Sequence, residues 1–333
     1  MKFNKGEWSE LFVVASVFNN NSVKIATSNN HLKILKIYFE DKKTSYLISN
    51  SEIVSNKAIS YPLYTRKEVD CFIRELANST GASFKLKQGS DFIAKYEIPS
   101  VKEAKNKGDI DTNTLFPNES IGRDVNFSIK SFVGNPPTLL NSSQATNFIF
   151  EIKDFSGNIK AINEISSKSK IRDRIAEIIK CSTSIEIINV EDSTFYENLM
   201  KIDTNFLKML SPILLNYYST NFNAISDLVA NTINTNFDKS IIMLNIKRFL
   251  RAFALGMQPK ILWDGDSVNG GSIIVEKTGD LLAYTLYDIS KFDDFLYFNC
   301  KFDTPSSSRH KFGSIYSENG KYYIKLNLQI RFK

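Results

Sequence analysis

Hydrophobic residues recur at helical spacing in several stretches of the chain. Between residues 7 and 18 the apolar positions follow a period close to that of a helix with a buried face; they are Leu11, Phe12, Val14, Ala15 and Phe18. The same spacing predicts further helices over residues 67–76, 169–180, 194–218 and 238–255. In the helix over 194–218 we expect a break near Pro212, because proline removes an intrahelical hydrogen bond.

Alternation of apolar and polar residues predicts strands elsewhere. The clearest case surrounds Phe127 and Ile129, which alternate with Ser128 and Lys130, so that Ser128 and Lys130 share one face. This strand should end at the Gly-Asn-Pro-Pro run of residues 134–137, since proline cannot donate a ladder hydrogen bond. The predicted strands lie at 44–49, 92–98, 121–133, 147–155, 184–190, 272–276, 281–287 and 321–332.

This mixture of elements predicts an α/β fold (a mix of α/β and α+β) in which helices flank a mixed sheet and the C-terminal part is rich in strands. A chain of 333 residues is long enough for one large domain or two ordinary ones. We expect three regions along it: 1–165 with the N-terminal helix and the strand of Lys130, 166–260 mainly helical, and 261–333 rich in β-structure.

Composition is that of an ordinary globular protein, with 42% hydrophobic and 23% charged residues, and the net charge of +6 is compatible with a polyanionic partner. No run of eighteen apolar residues occurs, so we expect no transmembrane helix and no membrane partner. Glu7 and Glu10 argue against a signal peptide. The cysteines Cys71, Cys181 and Cys300 fit neither a disulfide framework nor a zinc site, which favours a reducing cytoplasm.

Lys130 is the residue around which a candidate chemistry can be built. A lysine on a half-buried strand, with carboxylates brought to it from elsewhere, suits metal-assisted cleavage of a phosphodiester. On pattern alone the literal Glu-x-Lys of Glu151-Ile152-Lys153 is a rival, with Asp124 as its upstream acid. The chain has neither a G-x-x-x-x-G-K-[ST] phosphate loop nor a G-x-S-x-G motif, which argues against an ATP-driven subunit and a serine hydrolase.

Blocks of sequence spread over nearly the whole chain suggest a family. They are Phe3-Asn4-Lys5-Gly6-Glu7-Trp8-Ser9-Glu10, Phe127-Ser128-Ile129-Lys130-Ser131, Lys170-Ile171-Arg172-Asp173-Arg174, Trp263-Asp264-Gly265 and Tyr323-Ile324-Lys325-Leu326-Asn327. In these blocks the chain resembles the HpaII-type restriction endonuclease family. The resemblance implies a type II restriction enzyme with a PD-(D/E)xK-type nuclease core. Such an enzyme would need magnesium (Mg2+) and would cut double-stranded DNA at a short palindrome, with CCGG as the family's target.

The resemblance also implies roles for individual residues. Asp109 would be the catalytic aspartate and a metal ligand, the backbone carbonyl of Ile129 a further ligand, and Lys130 the catalytic lysine. The run that follows Asp109 is more polar than the family pattern, so Asp111 and Asp124 stay open as alternatives for the metal-binding aspartate.

Ser128 occupies the position where the PD-(D/E)xK motif normally has Asp or Glu. Serine is a poor magnesium ligand, so the missing carboxylate must come from elsewhere. Glu10 on the first helix is the best candidate, followed by Glu7. The alternative for both is an ordinary helix start, where the helix dipole favours acids.

Two polar segments are candidates for contacts with DNA. Amide side chains can pair with base edges, arginine can bond guanine, and hydroxyl groups suit phosphate. The candidate residues are Asn141, Ser142, Gln144, Asn147, Arg309 and His310. An ordinary basic loop is the alternative for the second segment.

The resemblance implies partners as well. A palindromic target implies a homodimer on DNA, since protein symmetry would then match the symmetry of the site. A cognate DNA methyltransferase is expected in the same system. In this scheme residues 1–165 are the nuclease core, and residues 261–333 contribute to DNA binding. The alternative is a sequence-specific DNA-binding protein with a defective nuclease site, which the serine at position 128 motivates.

Overall fold

The structure is a computed structural model that describes residues 1–39, 42–99, 108–233, 235–265 and 268–333. Its α-helices are α1 (Lys5–Asn19), α2 (Arg66–Asn78), α3 (Lys87–Tyr96), α4 (Ile159–Asn163), α5 (Lys170–Lys180), α6 (Ser193–Ile202), α7 (Phe206–Ser219), α8 (Ile225–Ala230), α9 (Lys239–Ala254), α10 (Ile289–Asn299) and α11 (Ser307–His310). Its strands are β1 (Ser22–Ile25), β2 (His31–Phe39), β3 (Thr44–Ile48), β4 (Glu52–Ser55), β5 (Ser60–Pro62), β6 (Ile110–Leu115), β7 (Arg123–Ser131), β8 (Thr138–Leu140), β9 (Asn147–Lys153), β10 (Ser184–Val190), β11 (Gly271–Val275), β12 (Leu281–Thr285), β13 (Cys300–Asp303), β14 (Ile315–Glu318), β15 (Lys321–Asn327) and β16 (Gln329–Phe332). The mixed α/β class expected from the sequence is confirmed.

The chain divides into two compact units. The first comprises Met1–Pro137, Ala254–Gly256 and Asp266–Phe292, and the second comprises Thr138–Phe253, Met257–Gly265 and Asp293–Lys333. These bounds differ from those of the three regions expected from the sequence. The strand-rich segment after residue 261 contributes to both units.

A mixed sheet is the centre of the first unit. In the described residues it has nine strands, in the order β1-β12-β11-β7-β6-β2-β3-β4-β5. β7 lies inside the sheet, parallel to β11 and antiparallel to β6. Helix α1 packs on β7 and contacts α2 and α3. The hydrophobic core between these elements includes the fully buried rings of Trp8, Phe12, Phe72, Phe92 and Phe127.

The second unit is built on two antiparallel sheets. Among its described residues, one sheet has the order β10-β9-β15-β14 and the other the order β13-β16-β8. Helices α6 and α7 pack on β10, and α5 packs on α7. Over both units, each described helix is too short or too polar to cross a membrane. The thiols of Cys71, Cys181 and Cys300 are free.

Most of the longer elements predicted from the sequence are present. The predicted helices over 7–18, 67–76, 169–180 and 238–255 correspond to α1, α2, α5 and α9. The predicted strand around Lys130 is β7, and the one over 184–190 is β10.

The strand predicted over residues 92–98 is wrong, because most of this segment belongs to α3. Phe92 and Tyr96 are both buried and lie four residues apart, so they share one face of a helix. The same two residues also fit an alternating pattern, and the pattern alone could not decide between the two structures.

The break predicted near Pro212 is also misplaced. Pro212 lies inside α7, and the break falls between Ile202 and Phe206. There the carbonyl of Asp203 accepts from the backbone N–H of Phe206 (2.9 Å), and its carboxylate accepts from that of Asn205 (2.7 Å). This local turn competes with the helix more strongly than the one hydrogen bond that proline removes.

Candidate active site

Asp109 lies directly before β6, against the end of β7. Its backbone N–H donates to the carbonyl of Phe127 (2.9 Å), and its Oδ2 accepts from the backbone N–H of Ile129 (2.5 Å). The ladder between the two strands begins with the pair Ile110 and Phe127, so Ile129 lies beyond it. The carboxylate is therefore held by the backbone of the strand that carries Lys130.

The backbone of Ile129 offers a second oxygen at this place. In an antiparallel ladder the N–H and C=O of one residue point to the same neighbour. The N–H of Ile129 points to Asp109, and its carbonyl therefore points to the same side. The carboxylate of Asp109 and the carbonyl oxygen of Ile129 therefore lie on the same side of β7.

Helix α1 brings Glu10 to the same end of β7. The hydroxyl of Ser9 donates to the carbonyl of Lys5 (2.7 Å), and its oxygen lies 2.8 Å from the hydroxyl of Ser131. This contact fixes α1, which carries Glu10, on β7, which carries Lys130. Sequence patterns did not single out Ser9 or Ser131. The only signal for Ser9 was a polar residue in a largely apolar stretch.

The electrostatics confirm that these groups are close. The pKa of the Glu10 carboxyl is raised to about 8, first by burial and then by the charges of Asp109 and Glu7, while the charge of Lys130 acts to lower it. An acid in this environment holds its proton at neutral pH unless a cation compensates its charge. The geometry therefore favours a cation beside Glu10 and Asp109.

Glu7 has a structural task at the start of α1. Its backbone N–H donates to the Asn4 side chain (3.0 Å), and its Oε2 accepts from the backbone N–H of Asn4 (2.8 Å). This reciprocal pair is a capping box, which stabilises a helix start. The predicted role of Glu7 as a metal ligand gains no support from this geometry, although its charge still acts on Glu10.

Ser128 is buried, and its hydroxyl lies 2.6 Å from that of Ser272 on β11. Ser272 is buried as well and stands opposite Ser128 in the parallel ladder between β7 and β11. The two hydroxyl groups therefore satisfy each other. Ser128 contributes a link inside the sheet, and no carboxylate stands at its position.

The alternative aspartates have other surroundings. Asp124 accepts from Asn113 (2.8 Å), Lys42 (2.6 Å) and Tyr38 (3.1 Å), and the hydrogen bonds from Asn113 and Lys42 lower its pKa. It lies six residues before Lys130, about 20 Å along an extended strand. Asp124 is therefore remote from Lys130, whereas Asp109 is bonded to Ile129, the residue next to that lysine.

Asp111 stands opposite Asn126 in the ladder between β6 and β7, four residues before Lys130. The polar run around it is a regular strand, in which Thr112 and Thr114 are buried and their hydroxyl groups lie 2.7 Å apart. The departure from the family's apolar pattern is thus compensated by hydrogen bonds inside the sheet.

The rival motif belongs to β9 in the second unit, whereas its supposed upstream acid Asp124 belongs to the first. Glu151 pairs with Lys321 (2.8 Å), and Lys153 pairs with Glu186 (3.1 Å). Both are ion pairs between neighbouring strands, of a kind common on a solvated sheet face.

The two segments predicted to contact DNA meet in the second unit. The hydroxyl of Ser142 lies 3.3 Å from Nε2 of His310. Asn141 and Gln144 in the first segment and Arg309 in the second are exposed. Burial, and then the charge of Arg309, lower the pKa of His310.

Asn147 does not fit the predicted groove contact. It is completely buried; its amide donates to Glu191 (2.6 Å) and to the carbonyl of His310 (2.9 Å), and its oxygen accepts from Asn327 (2.6 Å). This network holds the segment of His310 on β9 and β15. The structure therefore gives Asn147 a supporting role in place of direct base recognition.

A metal was expected at the site of Lys130. In the residues that the structure describes, no three His, Cys, Asp or Glu side chains are grouped so that they could hold a metal ion. Magnesium, however, is commonly bound through one or two carboxylates together with waters and substrate phosphates. Asp109, Glu10 and the carbonyl of Ile129 fit that smaller donor set.

The comparisons with known proteins identify the family of the chain. The family model for the HpaII restriction endonuclease matches residues 4–332. The chain is 35% identical to the type II restriction enzyme HpaII of Haemophilus parainfluenzae over 353 aligned positions, which cover 99% of this chain and 98% of that protein. No solved structure matches the chain. The chain therefore belongs to the HpaII restriction endonuclease family of site-specific deoxyribonucleases.

Proposed function

We propose that this enzyme is a magnesium-dependent nuclease of the PD-(D/E)xK type that cuts both strands of DNA at a short palindrome. CCGG is the first sequence to test, because it is the target implied by the family resemblance. The observation that supports the catalytic part is the hydrogen bond between Asp109 Oδ2 and the N–H of Ile129, which holds an acid beside Lys130.

The proposed reaction is hydrolysis of one phosphodiester. Asp109, Glu10 and the carbonyl of Ile129 would hold the cation. Type II restriction endonucleases generally use divalent metal ions, and magnesium would supply charge stabilisation at the phosphate and a lower pKa for the attacking water. Lys130 would donate to a phosphate oxygen or orient the water. The water oxygen bonds to phosphorus, the P–O3′ bond breaks, and the 3′ oxygen takes up a proton, which leaves a 5′-phosphate.

The same proposal covers partners and compartment. Two copies would bind one palindrome as a homodimer, and a cognate methyltransferase would protect the host's own sites. The three free thiols fit a reducing cytoplasm, where the DNA substrate is. We assign the chemistry to residues 1–165 and DNA contacts to segments of 261–333, with Arg309 as the first residue to test.

A digest of plasmid DNA tests the proposal. Wild-type protein with magnesium should give discrete fragments whose ends share one palindrome, and EDTA should prevent the cuts. Lys130→Ala should lower the cleavage rate at least about a hundredfold while DNA binding persists. Lys153→Ala is the matched control, because Lys153 belongs to the rival motif and to an exposed ion pair. Intact DNA at high enzyme concentration, or loss of cutting in the Lys153 variant alone, would contradict the assignment.

A further inference from the structure

A basic cavity of about 480 Å³ lies in the second unit, and its lining residues are distinct from those assigned to catalysis in the first. Four cationic side chains and several hydroxyl groups line it; they include Lys170, Arg174, Ser307, Lys311, Ser314 and Lys325. The described residues that line it include no Asp or Glu. The cavity therefore carries a concentrated positive charge.

Arg174 is a buried cation without an acidic partner. Its side chain is only 8% exposed, and its guanidinium donates to the carbonyls of Gly313 (2.5 Å), Asn163 (2.5 Å) and Ile165 (2.9 Å) and to the hydroxyl of Ser314 (3.0 Å). Its Nε has no hydrogen-bond partner in the described structure. Burial lowers the pKa of this group. A buried charge with neutral acceptors alone is costly, and a nearby anion would compensate it.

The lysines at the cavity differ in how they are paired. Lys325 forms an ion pair with Glu191 (3.1 Å). In the described part of the chain, neither Lys170 nor Lys311 has a carboxylate within salt-bridge distance. Together with Arg174, the cavity thus presents three positive charges that no acid of the described structure neutralises.

We propose that the basic cavity binds a backbone phosphate of the DNA substrate. The cavity shares its lining residues Ser307 and Lys311 with the short segment that carries Arg309, the exposed residue expected to approach a base edge. A phosphate anchor within a few residues of a base-reading side chain fixes the register of the protein on the duplex. Free phosphate has the same chemistry, but it would not explain that proximity. This inference rests on the proposed function, in which DNA is the substrate. It adds the place at which the protein holds the DNA backbone.

Binding to a short duplex in EDTA tests this inference without cleavage. Lys170→Gln together with Lys311→Gln should weaken binding about tenfold at moderate salt, for cognate and unrelated duplexes alike. The slope of log K against log salt should fall by about 0.9 for each phosphate that the variant no longer neutralises. Lys170→Gln alone is also measured beside a matched control, Lys180→Gln, which removes one charge from the exposed end of the same helix, α5.

Each outcome decides the inference. An unchanged affinity and salt slope in the double variant would overturn it, and so would a loss in Lys180→Gln equal to that in Lys170→Gln, which would indicate general charge attraction. If inorganic phosphate at millimolar concentration protects the wild type from unfolding but the double variant binds DNA normally, the cavity is a free-anion site and the DNA assignment fails. Cleavage by the wild type is scored separately in magnesium, so failure of the nuclease proposal remains distinguishable.

Discussion

At the scale of single residues, the active site depends on a carboxyl group that the protein alone does not stabilise in its charged form. Glu10 is partly buried and close to the acids Asp109 and Glu7, while Lys130 offsets only part of the repulsion. Carboxylates placed this close together repel one another and lower the stability of the fold. Such a cluster is favourable at a cation-binding site, because each carboxylate is attracted to the cation more strongly than it is repelled by its neighbours.

Glu10→Gln should therefore raise the free energy of unfolding at high pH and at the same time abolish cleavage. Because folding raises the pKa of Glu10 from 4.5 to about 8, the folded state binds the proton more strongly, and this stabilisation is lost as the pH rises through that interval. Each pKa unit corresponds to about 1.4 kcal/mol, so over this interval the variant should become more stable than wild type, in EDTA at about pH 9, by on the order of 5 kcal/mol.

Urea unfolding at about pH 5 and about pH 9 measures this difference, and cleavage with magnesium should be lost in the same variant. Glu52→Gln serves as a control on an exposed acid of the same unit. Identical pH dependence of stability in wild type and Glu10→Gln would contradict the proposed environment of Glu10.

The hydroxyl pair of Ser128 and Ser272 makes a second residue-scale prediction. Ser128→Ala should leave cleavage nearly unchanged, since the hydroxyl serves the sheet and not the reaction. The single variant should lose about 1 to 2 kcal/mol of unfolding free energy, because the buried hydroxyl of Ser272 loses its partner. The double variant Ser128→Ala/Ser272→Ala should recover part of that loss. Cleavage rates and urea midpoints check both statements; a large loss of activity in Ser128→Ala would place its hydroxyl in the reaction.

At the scale of secondary-structure elements, the proposed role of Glu10 depends on the position of α1 on β7. The link between Ser9 and Ser131 fixes it along the strand, and Trp8 fixes it from the other side by donating to the carbonyl of Phe84 (3.0 Å). Trp8 also lies directly against Gly89 of α3, where the glycine leaves room for the indole ring. The packing of Trp8 in the core thus sets the position of the next residues, Ser9 and Glu10.

Gly89→Ala should disturb the active site through this contact. A Cβ at residue 89 would lie 2.8 Å from Cε3 of Trp8 and nearer still to a second ring carbon, so the ring must shift. We expect a loss of about 1 to 3 kcal/mol in unfolding free energy and a lower kcat in protein that is still folded. Adding Trp8→Phe should relieve the contact and restore part of the activity. A double variant no better than Gly89→Ala would contradict this mechanism.

Sequence patterns predicted where these elements lie in the chain better than which residues of other elements they contact. The spacing of apolar residues located α1 and the alternation around Lys130 located β7, because both patterns are local. The residue opposite Ser128 in the sheet could not be predicted, since Ser272 is distant in the chain and paired only by the fold. Asp109 was identified through family resemblance, because the buried threonines of β6 hide the usual apolar alternation.

At the scale of the whole molecule, the proposed double-strand cut raises the question of how many chains act on one site. The described structure brings Asp109, Glu10 and Lys130 together at one place, while the rival lysine, Lys153, is held in a surface ion pair. One such site hydrolyses one phosphodiester at a time. A palindrome offers two equivalent phosphodiesters related by a two-fold axis, so two copies of the chain would supply one site to each strand.

Mixing wild type with Lys130→Ala tests this arrangement. If two chains act together, a mixed dimer has one competent site, and supercoiled plasmid with a single target should accumulate as nicked circles. Nicked product should increase with the fraction of the variant and reach its maximum share at an excess of Lys130→Ala, because random pairing then leaves few wild-type dimers. Mixing with Lys153→Ala should give linear product throughout, since that lysine lies outside the site. If one chain cuts both strands by itself, the mixture will give only linear DNA, at a rate proportional to the wild-type fraction.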